Sequence, residues 1–446
     1  MTSVKSIAGR PAAVLLAAAL MTCAASVADA TQIERVVSPG GIEAWVVHEP
    51  SPVIAVEFAF SGGGAVQDPA DKPGIANLAA NLWDDGAGEF DAKAFHSRLD
   101  SKSIGLSFSV GRDNVRGSLR TLAANRDQAF EFLRLALTAP RFDPDAVERE
   151  RTQLVSRLRR ASTSPNDIAS RLWWQTAFPN HPYGRPTGGT PDSVARIGID
   201  DLKAYTKRVL ARGNLKLAIV GDITSTEAGS LIDRTFGALP AEPELTPVAD
   251  ATMQGLGRRI VVQLDVPQTV VTFGLRGIAR SDPDFMAAYV INHILGNGSS
   301  SSRLYREVRE QRGLAYGVSD SLVWLDHAAV LIGGTATRPA VTGEAIGLIE
   351  REMQRLGESG PLEQELVQAK SYLEGSYPLG LDTSAKIAGQ LVQIQLDKLG
   401  IDYIDRRASM IEAVTPADAK RVAKRLLDSG LLVTVVGQPQ GVSSTE

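Results

Sequence analysis

The stretch Val53-Ile54-Ala55-Val56-Glu57-Phe58-Ala59-Phe60 follows Pro52 and is rich in β-branched and aromatic residues. Such a run predicts a buried β-strand. Gly62-Gly63-Gly64 come next, then Asp68-Pro69, and then a segment with helical spacing that carries Asn77. A strand, a glycine-rich turn and a helix therefore form the first structural unit of this chain.

The same order of elements returns about two hundred residues later in the chain. The stretch Thr269-Val270-Val271-Thr272-Phe273-Gly274-Leu275 follows Pro267, and Gly277, Asp282-Pro283 and a helix through Met286 come after it. Matching order at this many positions indicates an internal duplication. Chance similarity between two unrelated segments is the alternative.

Each half then continues with an amphipathic helix, a proline-bearing turn, a second helix and a closing apolar strand. The second helices are expected from Pro144 and Pro361, and the closing strands at residues 215–222 and 431–437. We predict the α+β class, with two homologous domains that each contain an antiparallel-rich sheet and helices packed on one face. The expected domains are residues 31–239 and 257–446, joined by a linker at residues 240–256.

The N-terminal segment has the pattern of a cleavable export signal over residues 1–30. Lys5 and Arg10 form a basic region, residues 12–20 are apolar, and Ala28-Asp29-Ala30 supplies a small-x-small cleavage site. The mature protein is therefore expected in the periplasm. Lipidation at Cys23 is the less favoured alternative, because a threonine precedes this cysteine.

The composition is that of an ordinary soluble globular protein, with 43% hydrophobic and 22% charged residues. A formal net charge of −4 gives no reason to expect nucleic acid or an anionic membrane as a partner. After the signal, no segment is long and apolar enough to predict a membrane span. The single cysteine lies within the signal, so a disulfide or a thiol nucleophile is not expected in the mature chain.

The helix that follows Pro73-Gly74 has the spacing of an inverted zinc-protease motif, H-x-x-E-H. That motif places two imidazoles one helical turn apart with a glutamate as general base. Here Asn77 and Asn81 stand at the two histidine positions, and Ala80 stands at the glutamate position. Carboxamides are poor zinc ligands and alanine cannot accept a proton, so we expect no metal at this site.

Further motifs lie along the chain in a fixed order, and together they resemble the insulinase/pitrilysin family, which includes mitochondrial processing peptidase. The motifs are Gly74-Ile75-Ala76, His181-Pro182-Tyr183-Gly184, Gly188-Gly189-Thr190, Val220-Gly221-Asp222, Ile294-Leu295-Gly296-Asn297-Gly298, Ser302-Arg303-Leu304 and Arg312-Gly313-Leu314-Ala315-Tyr316. The resemblance covers essentially the whole chain after the signal. It implies that the two domains form a half-shell, and that two half-shells close around a peptide.

The resemblance also implies a third metal ligand, a glutamate on a later helix. The best register places Arg157 at this position, and Glu150 would reach it only if the helix slips. A guanidinium repels zinc. All four functional positions of the first domain have therefore lost their metal chemistry, and this chain is expected to hold no cofactor itself.

The second domain keeps residues that the resemblance assigns to the substrate. Arg309 and Tyr316 match an arginine–tyrosine pair that contacts the peptide near the scissile bond, with catalytic roles as a carbonyl-binding cation and an oxyanion donor. Gly296, Asn297 and Gly298 are expected to bind substrate along the chamber wall.

Two functions of different kinds follow. The favoured one is the metal-free subunit of a periplasmic heterodimeric zinc metalloendopeptidase, inactive alone, whose homologous partner carries the H-x-x-E-H motif and the zinc. Peptides that fit a closed chamber would be the substrates. The alternative is a catalytically inactive peptide-binding or scaffold protein of the same fold. A homodimer with an unrecognised catalytic site has no support in the sequence.

Overall fold

Two β-sheets organise the chain in the computed structural model, which describes residues 32–445. The expected signal at residues 1–30, including Cys23, lies outside the described residues. The first sheet has six strands in the order β1-β2-β6-β3-β5-β4. These strands are β1 Ile33–Val37, β2 Glu43–His48, β3 Val53–Ser61, β4 Gly105–Val110, β5 Asn114–Leu122 and β6 Leu215–Gly221.

The second sheet has five strands in the order β7-β11-β8-β10-β9. They are β7 Arg259–Gln263, β8 Thr269–Arg276, β9 Ala315–Trp324, β10 Ala329–Thr337 and β11 Leu432–Gly437. Apart from β1, the two sheets share one topology, because β2-β6-β3-β5-β4 corresponds strand for strand to β7-β11-β8-β10-β9. In both sheets the closing strand is parallel to its outer neighbour, and the other pairs are antiparallel. This shared topology supports the predicted duplication.

The helices predicted around Asn77 and Met286 and after Pro144 and Pro361 are present, together with helices that the sequence analysis did not predict. Residues 32–445 contain fourteen α-helices. They are α1 Ile75–Ala80, α2 Ala92–Ser101, α3 Arg126–Thr138, α4 Pro144–Ala161, α5 Pro165–Ala177, α6 Pro191–Ala195, α7 Ile199–Val209, α8 Ser225–Phe236, α9 Phe285–Asn292, α10 Thr342–Ser359, α11 Glu363–Leu379, α12 Ser384–Leu396, α13 Tyr403–Glu412 and α14 Pro416–Leu427. Two π-helical turns, His293–Asn297 and Tyr305–Glu310, interrupt the second half. Within residues 32–445 no helix combines the length and apolarity that a bilayer crossing requires.

Strand β3 shows how the sequence fixes the two faces of the first sheet. Ile54, Val56 and Phe58 point into a core shared with α1, α3, α7 and α8. Ala59 lies on the opposite face, in a separate core with Ala218 and residues of α12. Alternate residues of a strand point to opposite faces of the sheet. In β3 the bulky side chains therefore face the helices of the same half, and the small ones face a helix of the other half.

One helix of each half packs on the sheet of the other half. Helix α5 packs on β8 and β11 of the second sheet, where the Trp173 indole nitrogen donates to the Leu432 carbonyl at 3.1 Å. Helix α12 packs on β3 and β6 of the first sheet, where the Gln395 amide donates to the Leu217 carbonyl at 3.0 Å. The predicted helices on one face are present, and this exchange covers the second face of each sheet in addition.

The predicted linker contains no helix or strand between Phe236 and Arg259, but it is held to both halves. The Thr246 backbone exchanges hydrogen bonds with the Gln67 amide at 2.8 and 3.0 Å, and the Ala251 amide donates to the His327 carbonyl at 2.8 Å. The segment therefore helps to fix the two sheets relative to each other.

We predict that Glu57, on the face of β3 that α12 covers, makes stability pH-dependent. Burial raises the pKa of Glu57 from its ordinary 4.5 to about 7, against a smaller opposing effect of Arg116. The folded protein holds this proton more tightly than the unfolded chain does. The protonated Glu57 therefore stabilises the fold fully below pH 4.5, and this contribution is lost as the pH rises through about 7. The free energy of unfolding of Glu57→Gln should therefore exceed that of the wild type by about 1–2 kcal/mol at about pH 8. At about pH 4.5 the two values should differ little.

Urea unfolding of both proteins at the two pH values measures this difference, with Glu89→Gln at an exposed position as the control. A stability difference between Glu57→Gln and the wild type that does not change with pH would contradict the prediction.

Candidate functional site

A buried carboxyl group positions the helix that carries the degenerate motif. Asp68 accepts hydrogen bonds from the backbone amides of Gly74 at 2.6 Å and Ala76 at 3.0 Å, in the first turn of α1. Burial raises the pKa of Asp68 to about 6. Gly74 has φ +102°, and a Cβ there would lie 2.7 Å from the Gly188 carbonyl oxygen. Gly74 is thus required for the close approach of these two segments.

The predicted motif positions lie together around one open hollow. Asn77 and Asn81 are half-buried, and Ala80 is buried. The hollow is lined by Asn77, Ala80, Asn81, Asp84, Ser107, Phe108, Glu150 and Arg157. The structure therefore brings all four motif positions into one site, with the carboxyl group of Glu150 from α4 and that of Asp84 from the turn after α1.

Glu150 and Arg157 both reach this hollow, so the helix slip considered from the sequence is not needed. They are seven residues apart on α4, which is two helical turns, and they therefore share one face. One carboxylate oxygen of Glu150 accepts from Arg157 Nη2 at 2.6 Å and from Asn81 Nδ2 at 2.9 Å. The guanidinium supplies a fixed positive charge beside the degenerate motif.

The residues of the hollow do not fit a zinc ion. Among residues 32–445, no group of three or more histidine, cysteine, aspartate and glutamate side chains could hold a metal. Glu150 is paired with a cation, and burial raises the pKa of Asp84 to about 6. Carboxamides and a paired carboxylate cannot lower the pKa of a bound water as a zinc site does.

Among residues 32–445, one edge of β4 pairs with no other strand, and this edge passes the hollow. Strand β4 is the outermost strand of the first sheet, and Ser107 and Phe108 from it line the hollow. Its side chains alternate between exposed and half-buried positions. An edge strand of this kind can accept another extended segment through its free backbone groups.

Arg309 and Tyr316 lie side by side in the second half, and their catalytic role stays a prediction. Gly313, with φ +59°, follows the helical turn Tyr305–Glu310 that holds Arg309, and Tyr316 is the second residue of β9. The Arg309 guanidinium carbon lies 4.5 Å from the Tyr316 ring centre and 4.9 Å from that of Tyr305. Tyr316 is 84% exposed. The pair does not line the hollow of the first half.

Tyr305 is a neighbour that the sequence analysis missed. Its spacing of four residues from Arg309 on a helical segment was the available signal. Two aromatic rings thus flank one guanidinium and restrict its orientation.

In the predicted substrate-binding turn, residues 296–298, the two glycines are needed for close packing. A Cβ on Gly296 would lie 2.7 Å from a carboxyl oxygen of Asp320, and a Cβ on Gly298 would lie 2.6 Å from the His293 carbonyl oxygen. The exposed Asn297 donates to the Asp320 carbonyl at 3.2 Å. Burial raises the pKa of Asp320, which also accepts from Asn292 at 2.7 Å. Peptide binding by this turn stays a prediction.

We predict that Arg157 by itself prevents metal binding even when the motif is rebuilt. The triple variant Asn77→His, Ala80→Glu, Asn81→His should bind no stoichiometric zinc, because the guanidinium occupies the cation position. Adding Arg157→Glu should raise zinc affinity by at least about tenfold. Zinc content per chain after dialysis measures the effect.

Adding Arg149→Glu instead, at an exposed position of the same helix that does not line the hollow, is the control and should leave zinc content unchanged. Equal zinc binding with and without Arg157 would show that the guanidinium is not the obstacle.

Comparison with known families and proteins agrees with this architecture. Residues 50–191 match the model of insulinase, peptidase family M16, and residues 196–373 match the model of the peptidase M16 inactive domain. The non-peptidase homolog YmxG of Helicobacter pylori is 27% identical over 76% of this chain and 78% of its own length. An uncharacterized zinc protease of Streptomyces coelicolor is 25% identical over 91% of this chain and 89% of its own length.

Solved structures show the same fold. The peptidase M16 inactive domain from Pseudomonas fluorescens superposes with a TM-score of 0.86 at 24% identity, over 93% of this chain and 100% of that one. A protease from Helicobacter pylori gives a TM-score of 0.84 at 21% identity, over 91% and 99%. From the family models, the fold and the residues in the hollow, this chain belongs to the insulinase family, peptidase family M16, as a member without the H-x-x-E-H motif.

Proposed function

We propose that this chain is the metal-free subunit of a heterodimeric zinc metallopeptidase and acts in the periplasm. A homologous partner with an intact H-x-x-E-H motif supplies the zinc and the general base. The observation that carries the proposal is the contrast between the two halves. An ion pair fills the metal position of the first half, whereas the second half presents Arg309 and Tyr316 to solvent.

The exposure of Tyr316 supports a role in substrate binding. A tyrosine that is 84% exposed contributes little to the core. Its ring is held against the Arg309 guanidinium, so the hydroxyl and the cation are presented together. A hydroxyl donor and a guanidinium can stabilise a developing oxyanion and bind a peptide carbonyl.

The free edge of β4 is the proposed peptide-binding strand of this subunit. It lies directly beside the hollow, so a bound peptide would extend along the position where a metal acts in catalytic relatives. Backbone pairing with a strand edge accepts many sequences. Short or unfolded peptides are therefore the proposed substrates.

The second candidate is a catalytically inactive peptide-binding or scaffold protein of the same fold. The name of the Helicobacter pylori homolog, a non-peptidase, favours this candidate. A scaffold does not require Arg309 and Tyr316 at a solvent-exposed position, and this difference separates the two candidates. Export to the periplasm is proposed from the pattern of residues 1–30 alone.

We predict that Tyr316→Phe and Arg309→Ala lower peptide hydrolysis by the mixed heterodimer by about 10–1000-fold, because each removes a group that stabilises the transition state. The chain alone should show no turnover. A fluorogenic peptide assay on the purified subunits, singly and mixed, measures both rates. Subunit affinity should stay unchanged.

Tyr372→Phe is the matched control, since this tyrosine is also exposed but lies on α11. If Tyr316→Phe and Arg309→Ala both leave the mixed rate at the wild-type level, the catalytic role of the pair is wrong. The scaffold candidate is then favoured.

We predict that peptide binding by this chain depends on one alternate set of peptide backbone amides. In a strand added to β4, every second N–H faces the sheet edge and the others face away. N-methylation of one set should weaken binding at least about tenfold, since each methyl removes a hydrogen bond and blocks close approach. N-methylation of the other set should be tolerated.

Fluorescence anisotropy with two such labelled peptides measures the difference in affinity. Equal loss of binding for both sets would contradict strand addition, even if the peptide binds elsewhere on the chain.

A further inference from the structure

A cavity of about 200 Å³ lies where α9, α11, α12 and α13 meet, away from the hollow and from the Arg309–Tyr316 pair. It is lined by Arg280, Phe285, Met286, Tyr289, Trp324, Tyr377, Gln390, Gln393, Asp397, Leu399, Tyr403 and Arg407. Five aromatic rings and two guanidinium groups in one small cavity need an explanation that packing alone does not provide.

Arg407 is the least compensated cation of this cavity. It is only 6% exposed, and its Nη1 donates to the Leu373 carbonyl at 2.9 Å. Its other close neighbours are the rings of Tyr377 at 4.1 Å and Tyr289 at 5.7 Å. Among residues 32–445, no carboxylate forms an ion pair with it. A buried charge without a counter-ion costs several kcal/mol, and a bound anion would remove this cost.

Arg280 and Asp397 set the charge that a ligand must match. The Arg280 Nε lies 3.7 Å from Asp397 Oδ2, and Phe285 packs 4.2 Å from the guanidinium. The other oxygen of Asp397 already accepts from Trp324 at 3.0 Å and Gln393 at 2.9 Å. Two guanidinium groups and one carboxylate leave a single net positive charge, which a monoanion neutralises.

Tyr377 supplies an unused hydrogen-bond donor. Its hydroxyl is buried and has no partner among the described residues. Unsatisfied buried hydroxyl groups are uncommon and point to a missing partner. The Tyr377 ring also covers one face of the Arg407 guanidinium, so the N–H groups of Arg407 point outward in the plane of the group.

We propose that this cavity is a binding site for a small monocarboxylate, held by the Arg407 guanidinium and the Tyr377 hydroxyl. A planar guanidinium matches the two oxygens of a carboxylate. The volume is below the roughly 300–1,000 Å³ of pockets for drug-sized ligands, so the ligand is small. A phosphate dianion would exceed the net charge of the lining. This site is independent of the proposed peptidase function.

The test uses trifluoroacetate as the probe and the full mature chain. Its ¹⁹F NMR signal should broaden saturably with a millimolar dissociation constant, and acetate should displace it while chloride and phosphate at equal ionic strength should not. Arg407→Met should weaken binding at least about tenfold. This variant should fold, because replacing an uncompensated buried charge by an apolar side chain is neutral or stabilising. Circular dichroism checks the fold.

Tyr377→Phe removes only the hydroxyl and should weaken binding about 3–10-fold, so the proposal stays testable if Arg407→Met fails to fold. Arg406→Met is the matched control, because Arg406 is the adjacent residue but is exposed and paired with Asp402. The control should bind the probe like the wild type. Unchanged binding in Tyr377→Phe and Arg407→Met, no saturable binding in the wild type, or stronger displacement by phosphate than by acetate would each overturn the proposal.

Discussion

The rest of the structure depends on the exchange of α5 and α12 between the two sheets. Strands β6 and β11 are almost entirely buried, so both of their faces require cover. The helices of each half cover one face, and the exchanged helix covers part of the other. Neither sheet is complete without a helix from the other half. The two halves are therefore held in one arrangement by buried apolar surface and not by the connecting segment alone.

This exchange also explains where the polar cavity forms. Helix α12 lies on the first sheet, while α11 and α13 before and after it pack with α9 in the second half. The polar residues near the end of α12, Gln393 and Asp397, face this junction, and Arg116 of β5 donates to Gln393 from the first sheet. A space bordered by helices that pack in different directions is difficult to fill with side chains alone.

The ion pair in the hollow explains how a carboxylate is accommodated there without a metal. A metal site without its cation would leave carboxylates facing each other, which raises their pKa values and destabilises the fold. Arg157 places a permanent charge 2.6 Å from Glu150, and the Asn81 amide satisfies the same oxygen. Glu150 thus has both a guanidinium and an amide donor as partners in the hollow. The same ion pair therefore fills the hollow and links α4 to the end of the helix that carries the motif positions.

The sequence predicted the positions of individual strands and helices better than it predicted how these elements pack together. The apolar runs of β3 and β8, with the proline before each, were sufficient to locate both strands and the duplication. The helix exchange was missed because the apolar stripes of α5 and α12 show that a face is buried but not which sheet buries it. The cavity around Arg407 was missed because its lining comes from elements distant in the sequence. Glu150 and Arg157 are not alternatives, because residues two helical turns apart share one face of α4.

The duplication relates the two candidate sites physically. Strands β4 and β9 are equivalent, and each is the outer strand of its sheet. Ser107 and Phe108 of β4 border the hollow, and Tyr316 is the second residue of β9. Both sites therefore use the same structural position, an edge strand with side chains that alternate toward solvent. In the first half that position faces an inert ion pair, and in the second it carries an exposed hydroxyl beside a guanidinium. An edge is where a polypeptide can join a sheet, so both sites lie at a position where an added strand can pair with the sheet.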